Sequence, residues 1–429
     1  MRTFRRIAGT AIAAGALILG GCTNWLSVDN PSVIDESVLD PVAEANLLSK
    51  SAQQNFASAY GHLIVYSSWF TGETDVSETF PTRNEFGRRD ISIQNGSLDV
   101  DVWFPLSLAV VSSKKVLRAA LPDTATNVFY ARVNMVLGFS FLFMAEQFCQ
   151  GTVEAGPALT TQNMLDSAIA HFAAAIPQGR GGGAPELANA SWVGIARAQL
   201  QAGNLLAAAA AADSVPAAFN FNLNFVDDLA QRFRLANRMW FYVRDRGSIA
   251  VPQLWRVGTQ RGPDTVQNAE PRLPWKLPAT SGATAYSPQD AAYATDRGIP
   301  YAIQQKYTDY NTPVRLASKL EADYIKAEAQ STTERLAIID ARRAANGQPA
   351  FSDSLRRNTP DSVLTEFFTQ RGFDFYLEGK RLGDFRRHPL NIIGMPVPGS
   401  TYWKPGFAPV GSNVCYPLPI SETDNNPNF

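Results

Sequence analysis

The stretch from residue 190 to residue 215 constrains the fold more than any other part of this sequence. It reads as a helix, a tight turn at Gly203-Asn204 and a second helix, with small or apolar residues where the two helices would meet. These residues are Trp192, Gly194, Ala196, Leu200, Ala207 and Ala211. Small side chains let paired helices approach closely, and a single pair cannot bury its own faces. The chain must therefore supply further helix pairs, which predicts a stack of helices.

Helix-like spacing of apolar residues predicts helices along most of the chain. Besides the pair described above, the predicted helices cover residues 42–60, 101–121, 125–148, 161–175, 317–330, 332–346 and 360–376. The pair at 190–215 is similar to a tetratricopeptide unit, and the helices between residues 125 and 175 are its expected neighbours. We therefore predict an all-α fold on a tetratricopeptide-like scaffold of helix pairs.

Two segments interrupt the helical pattern. Residues 246–316 are rich in proline and glycine, but they keep many aromatic residues, which a disordered linker would lack. The tail over residues 388–429 contains too many prolines for a regular helix. The helical scaffold is thus predicted over residues 41–245 and 317–387, with a long loop-rich insertion between these two parts and an extended carboxy-terminal tail.

The amino terminus predicts export and lipid attachment. Three arginines open the chain, an apolar run over residues 7–19 follows, and Leu19-Gly20-Gly21-Cys22 closes it. The run is too short to span a bilayer and is typical of a secretory signal, and the closing residues resemble a bacterial lipobox. We predict a signal peptide over residues 1–21, a lipid-modified Cys22 that anchors the chain to a membrane, and one domain over residues 22–429. A cleaved signal without lipid is the alternative.

Charge and hydropathy limit the classes of partner. The 429 residues carry a formal net charge of −1. No basic cluster remains once the signal arginines are removed, which argues against nucleic acid as a partner. The longest internal apolar stretch, residues 133–149, is interrupted by Glu146 and Gln147. It therefore predicts a buried helix and not a membrane span.

The cysteines allow one disulfide. If Cys22 carries lipid, Cys149 and Cys415 remain, an even number in a chain exported to an oxidising compartment. They either form a bond that closes a very long loop or stay as two free thiols. Neither lies near a histidine or a second cysteine at metal-ligand spacing, so the sequence predicts no metal site and no cofactor.

Several segments, in the right order, resemble the SusD/RagB family of outer-membrane nutrient-binding lipoproteins. After the lipobox, these segments are residues 26–31, 103–104, 114–117, 145–148, 192–211, 270–274, 319–329 and 370–387. The last of them is the most specific, because it keeps Glu378-Gly379, Arg381, Asp384 and Arg386 of the family pattern. It departs from that pattern at Gln370, where an acidic residue is usual, and at Gly383, where an aromatic residue is common.

The resemblance implies a protein that captures an extracellular oligosaccharide, or a peptide, and delivers it to a SusC-like TonB-dependent transporter. It also implies a location at the outer membrane, lipid-anchored and facing the exterior, and it implies no enzymatic activity. Two other functions stay open on the residues alone. One is an envelope scaffold that binds proteins in tetratricopeptide grooves, and the other is a glycoside hydrolase.

The early loop after the first helix is the predicted ligand site. Flat aromatic rings suit sugar faces, and carboxylates and amides suit hydroxyl groups. The loop supplies Trp69, Phe70, Glu73, Asp75 and Asn84, and Trp275 in the insertion is a second source. Alternatively, these aromatic residues anchor the loops to the core. As a further alternative, Glu73 and Asp75 are the acid and base of a hydrolase.

The charged block after residue 370 has two interpretations. Arg381 is spaced to pair with Glu378 or Asp384 on one helix face, and Arg371 and Arg386 can hold carboxylates or carbonyls with two hydrogen bonds. We interpret the block as a structural salt-bridge network and leave it out of the predicted ligand site.

Overall fold

The computed structural model describes residues 40–257, 266, 269–278, 302–424 and 426–429. The signal peptide, Cys22, and Tyr286 and Tyr301 of the insertion lie outside the described residues. The chain divides into two compact units, Met1–Glu44 and Ala45–Phe429. The fold described below is that of the second unit.

Helices make up most of the second unit. In chain order they are α1 Ala45–Phe70, α2 Pro81–Gly87, α3 Phe104–Arg118, α4 Val128–Gln147, α5 Thr161–Gly181, α6 Pro185–Gln201, α7 Leu205–Asp213, α8 Arg232–Leu235, α9 Arg238–Arg244, α10 Lys319–Ala329, α11 Thr332–Ala345, α12 Pro360–Asp374, α13 Arg381–Arg387 and α14 Ile420–Asp424. A π-helical turn, Leu98–Trp103, leads directly into α3, and short 3₁₀ turns cover Gln253–Trp255 and Asp353–Leu355. The predicted all-α class is confirmed.

The strands are short and join distant parts of the chain in antiparallel pairs. They are β1 Asp75–Val76 with β3 Ile249–Ala250, β2 Asn220–Leu223 with β6 Val314–Ser318, and β4 Trp275–Lys276 with β5 Ile303–Gln304. The first pair fixes the early loop to the insertion. The second pair brackets the insertion at the point where the helical stack resumes with α10.

Each helix of the scaffold packs against the next one. The order of contact runs from α3 through α4, α5, α6 and α7, passes to α10 and continues through α11 to α12, while α1 packs against α3 and α4. Helices α7 and α10 are therefore neighbours in the stack although the loop-rich insertion separates them in the sequence. This arrangement is the predicted scaffold of helix pairs with a loop-rich insertion.

Helix α4 lies at the centre of the stack. Its length and apolar composition would suit a membrane span, but 83% of the apolar window lies inside the protein. Asn127 caps its start by accepting hydrogen bonds from the backbone N–H groups of Phe129 and Tyr130. The prediction of a buried helix over this stretch is confirmed.

Helices α4, α5 and α6 meet around one aromatic ring. Phe172 of α5 lies between Gly138 of α4 and Gly194 of α6. A Cβ atom at Gly138 would come within 2.5 Å of the ring, and one at Gly194 within 2.3 Å. The small residue at 194 thus allows α6 to approach α5 closely, whereas the sequence places it at the contact between the two helices of the 190–215 pair.

The first helix is longer than predicted. We expected it to end near residue 60 and Trp69 and Phe70 to lie in a loop, but α1 continues to Phe70. Every residue from 56 to 70 is buried. A helix buried on all sides shows no amphipathic pattern, so periodicity alone places its end too early.

The charged block forms the predicted salt-bridge network, although with other partners for Arg381. Asp384 pairs with Arg371 at 2.8 Å, and Glu378 pairs with Lys306 at 2.7 Å and with Arg315 at 2.8 Å. Arg381 donates instead to the carbonyl oxygens of Thr71 and Ile393. Cations other than Arg381 hold both carboxylates, and one of them, Arg387, pairs with Asp384 at 2.8 Å on the same helix. The expected pairing of Arg381 with these carboxylates is therefore wrong.

A second group of buried charges links the stack to this block. The guanidinium of Arg197 on α6 contacts Glu146 of α4 at 2.5 Å and Glu321 of α10 at 3.5 Å. Glu321 also accepts a hydrogen bond from Lys380 at 2.5 Å. All four side chains are at most 2% exposed, so each charge depends on its partners.

Candidate functional site

A cavity of about 230 Å³ lies where the early loop, the insertion and the tail meet. We call it the tail cavity. The end of α1 contributes Trp69 and the early loop contributes Asp75, while the insertion contributes Leu254 and the tail contributes Tyr402 and Trp403. Pairing of β1 with β3 brings the early loop and the insertion together.

The tail reaches the cavity as a closed loop. The N–H of Gly399 donates to the carbonyl of Val410 at 2.8 Å, and the N–H of Val410 donates to the carbonyl of Ser400 at 2.9 Å. Between these bonds, Tyr402 is buried and contacts Trp403 and Phe407, with ring centroids 5.8 and 5.9 Å apart. Trp403 and Phe407 are both partly exposed, so the loop offers aromatic surface to a ligand.

Asn84 lies behind this loop and holds it in place. Its side-chain oxygen accepts hydrogen bonds from the Tyr402 hydroxyl at 3.1 Å and from the Lys404 ammonium at 2.7 Å. Its amide group donates to the carbonyls of Glu78 and Phe80. Asn84 is fully buried. The structure thus gives Asn84 a positioning role, and the expectation that it faces a ligand directly is wrong.

Asp75 is the predicted site residue best placed to meet a ligand. It lines the tail cavity and is partly exposed. Desolvation raises the pKa of its carboxyl to about 7, although Arg256 and Lys404 favour the charged form. Near neutral pH it therefore exists in both protonation states, and it can accept or donate a hydrogen bond with a hydroxyl group.

Glu73, two residues earlier, points into the protein. It is 1% exposed, and its carboxylate accepts a hydrogen bond from the N–H of Leu377 at 3.1 Å. Its carbonyl accepts one from the Tyr376 hydroxyl at 3.2 Å. Burial raises the pKa of Glu73 to about 7, against the attraction of Arg381. Glu73 does not line the tail cavity, so Glu73 and Asp75 do not form the acid and base pair of a hydrolase there.

The expectation of exposed rings at Trp69, Phe70 and Trp275 is wrong, since each is at most 3% exposed. Trp69 packs edge-on against Tyr66 and reaches the tail cavity only as part of its wall. Phe70 packs against Tyr416, and Trp275 donates its indole N–H to the carbonyl of Val257. The structure agrees with the alternative interpretation, in which these rings anchor their segments to the core. Trp69 and Asp75 line the tail cavity, so contact of these two residues with a ligand stays a prediction.

Sequence analysis missed the aromatic residues of the tail. Tyr402 and Trp403 stand side by side between Pro398 and Pro405. Adjacent aromatic residues in a proline-rich, non-helical segment were the available signal, because such a segment has no regular core face to bury both rings.

The end of the tail is fixed to α4. Cys149 and Cys415 are disulfide-bonded in the structure. The backbone beside them is paired too, with the N–H of Tyr416 donating to Gln147 at 2.7 Å and the N–H of Cys149 donating to Tyr416 at 2.9 Å. The loop with Trp403 is therefore held on its carboxy-terminal side by the centre of the stack.

No protein-family model and no curated protein matches the sequence. Solved structures match its fold. A SusD superfamily protein from Parabacteroides distasonis aligns with a TM-score of 0.65 at 15% identity, over 91% of this chain and 98% of that chain. A SusD-like carbohydrate-binding protein from Bacteroides fragilis aligns with a TM-score of 0.61 at 13% identity, over 90% and 98%.

This chain has the SusD-like fold. A laminarin-binding SusD-like protein also aligns with it, with a TM-score of 0.52 at 14% identity, over 90% of this chain and 99% of that chain. The alignments span nearly the whole length of each matched structure, so the likeness covers the fold and not one segment of it. The resemblance to the SusD/RagB family, which rests on the order of several segments along the sequence, is confirmed at the level of the fold.

Proposed function

We propose that this SusD-like protein binds an oligosaccharide at the tail cavity. The observation that carries the proposal is the placement of the partly exposed Trp403 ring in the same cavity as the Asp75 carboxyl. A sugar needs a flat apolar surface for its ring and hydrogen-bonding groups for its hydroxyls. The cavity supplies both.

The fold supports the same function. Among the matching structures are a carbohydrate-binding and a laminarin-binding SusD-like protein. The early loop, the insertion and the tail are the segments that a helical scaffold leaves free to vary, and binding residues are commonly carried by such loops. The scaffold positions these loops, and the loops determine the ligand.

Binding to laminarin and to a panel of other soluble glycans tests the proposal. Affinity electrophoresis measures the binding of whichever glycan retards the protein. Trp403→Ala should weaken the binding free energy for that glycan by about 1–2 kcal/mol, because a stacking surface is lost. The matched control is Phe104→Ala on α3, which removes an exposed ring outside the cavity and should leave binding unchanged. If both variants weaken binding equally, or if neither variant weakens it, the ligand binds outside the tail cavity.

We further propose that the protein is an outer-membrane lipoprotein, anchored through Cys22, that delivers its ligand to a TonB-dependent transporter. The signal and lipobox of the sequence support the anchor, and the SusD-like fold supports the transporter. Purification of the lipoprotein from its own membranes in mild detergent should recover a large barrel in near-equal amount. Recovery with soluble envelope proteins instead would favour the scaffold function.

A further inference from the structure

A second and larger cavity, of about 560 Å³, lies on a different part of the surface. Its walls come from the β2–β6 pair, from residues 271–274, from residues 305–307 and from the end of α12. We call it the cationic cavity. None of the residues predicted as ligand-binding lines it.

The basic and acidic groups of this cavity differ in exposure. The carboxylates of Asp374 and Glu378 have 2% of their side-chain surface exposed, whereas Arg272, Lys306 and Arg315 have 9%, 22% and 23%. The carboxylates thus lie behind the cations that hold them. A ligand entering the cavity meets positive charge first.

Two of these cations keep hydrogen-bonding capacity for a ligand. In bonds with described residues, Arg315 uses Nε and Nη2, toward Glu378 and the carbonyl of Asp374. Lys306 donates to the carbonyl of Tyr376 and to Glu378, which employs two of the three donors of an ammonium group. These bonds leave one N–H of Lys306 and the Nη1 group of Arg315 for a ligand, and both residues line the cavity.

Neutral polar groups lie next to the cations. Asn220 and Asn222 occupy the exposed face of β2, and Asn222 pairs in register with Arg315 on β6. Phe373 and three prolines form apolar parts of the wall. Amides suit sugar hydroxyls, a planar guanidinium suits a carboxylate, and apolar patches suit the face of a pyranose ring.

We propose that the cationic cavity binds the carboxylate of a uronic acid unit, so that the ligand of this protein is an acidic oligosaccharide. The proposal rests on the proposed function and narrows its substrate class. Partly exposed cations with unused donors bind the carboxylate, and the asparagines beside them bind hydroxyl groups of the sugar that carries it.

Calorimetric titration with tetragalacturonate and with its methyl ester provides the first test. The two oligosaccharides share their hydroxyls and differ in charge. Tetragalacturonate should bind at least about tenfold more tightly at low salt, and raising the salt concentration should reduce that advantage. Equal affinities, or no binding of tetragalacturonate, would overturn the proposal.

Asn222→Asp provides the second test. It places a negative charge opposite Arg315 on an exposed strand face, where it does not disturb the core. It should weaken tetragalacturonate binding by about five- to tenfold at low salt. Asn46→Asp, an equal change of charge in the exposed first turn of α1, is the control and should have no effect. A loss of affinity in both variants would mean that overall charge, and not this cavity, is responsible.

Two further measurements separate this proposal from the glycan-binding function itself. If Trp403→Ala abolishes tetragalacturonate binding and Asn222→Asp does not change it, the tail cavity alone binds the sugar and the cationic site is refuted. A hexaglutamate peptide should bind much more weakly than tetragalacturonate. Equal affinity would show a site for any polyanion and would overturn the assignment to a sugar acid.

Discussion

The helical stack and the tail cavity are assembled from very different kinds of contact. In the stack, α4, α5 and α6 follow one another in the chain and meet through apolar contacts such as the ring of Phe172 between two glycines. In the tail cavity, Asn84 holds Tyr402 across 318 residues of sequence. The stack depends on local packing, and the site depends on a few long-range polar contacts. Substitutions should therefore separate stability from binding.

The largest effect should follow from breaking a buried ion pair of the stack. Arg197→Met removes the cation that contacts Glu146 and Glu321, and it leaves buried carboxylates without this partner. We expect a loss of about 3–5 kcal/mol in the free energy of unfolding, measured with urea. Arg118→Met, which removes an exposed partner of Glu154, should cost less than about 1 kcal/mol. Similar costs for both would mean that the buried charges contribute no more than surface ones.

The next effect is a dependence of stability on pH that comes from the buried carboxyl of Glu73. The pKa of Glu73 is raised to about 7, mainly by burial, so the folded protein holds a proton that the unfolded chain releases above its ordinary pKa. Stability from this group is therefore present at low pH and is lost as the pH rises from about 4.5 to 7.

Glu73→Gln should remove the part of this dependence that comes from Glu73, which amounts to about 3 kcal/mol, as measured by urea unfolding at pH 4.5 and pH 7. In contrast, the pKa values of Glu328 and Glu378 are lowered to about 2; burial opposes this change, but neighbouring cations outweigh it. Their contribution is lost only as the pH falls below about 4.5. An unchanged slope between pH 4.5 and 7 in the variant would remove Glu73 from the explanation.

A smaller loss of stability should come from crowding the apolar part of the stack. In Gly194→Ala, the new methyl group would lie 2.3 Å from the ring of Phe172, so the ring or the helices must move. We expect a loss of about 1–3 kcal/mol in unfolding free energy with glycan binding retained. Gly96→Ala, at a position with open space around the added atom, is the control. A stable Gly194→Ala protein would show that the helices can separate at little cost.

The smallest of the expected effects is a loss of binding affinity that comes from the tail loop. Asn84→Ala removes the acceptor of Tyr402 and Lys404, so the tail loop should loosen and glycan affinity should fall by about 1 kcal/mol. Hydrogen exchange should increase in residues 399–410 and stay unchanged in α4. Increased exchange throughout the stack would mean that the two regions are coupled after all.

The same difference explains what the sequence could predict. The pair at 190–215 predicts its own packing because its small residues and turn lie within one short segment. Trp403 was missed because its neighbours in the cavity, such as Asp75 and Leu254, are brought to it only by folding. The end of α1 was missed for another reason. Residues 56–70 are all buried, so this part of the helix has no polar face and shows no helical periodicity of apolar residues.

The disulfide between Cys149 and Cys415 makes the tail tolerant of cleavage. The loop that carries Trp403 lies between α13 and this bond, so a protease that cuts at the exposed residues Thr401 or Pro405 would not set the carboxy-terminal fragment free. The two pieces would stay linked by the bond between Cys149 and Cys415, and they would separate on a denaturing gel only after reduction. A nicked molecule would thus retain every segment of its binding cavity.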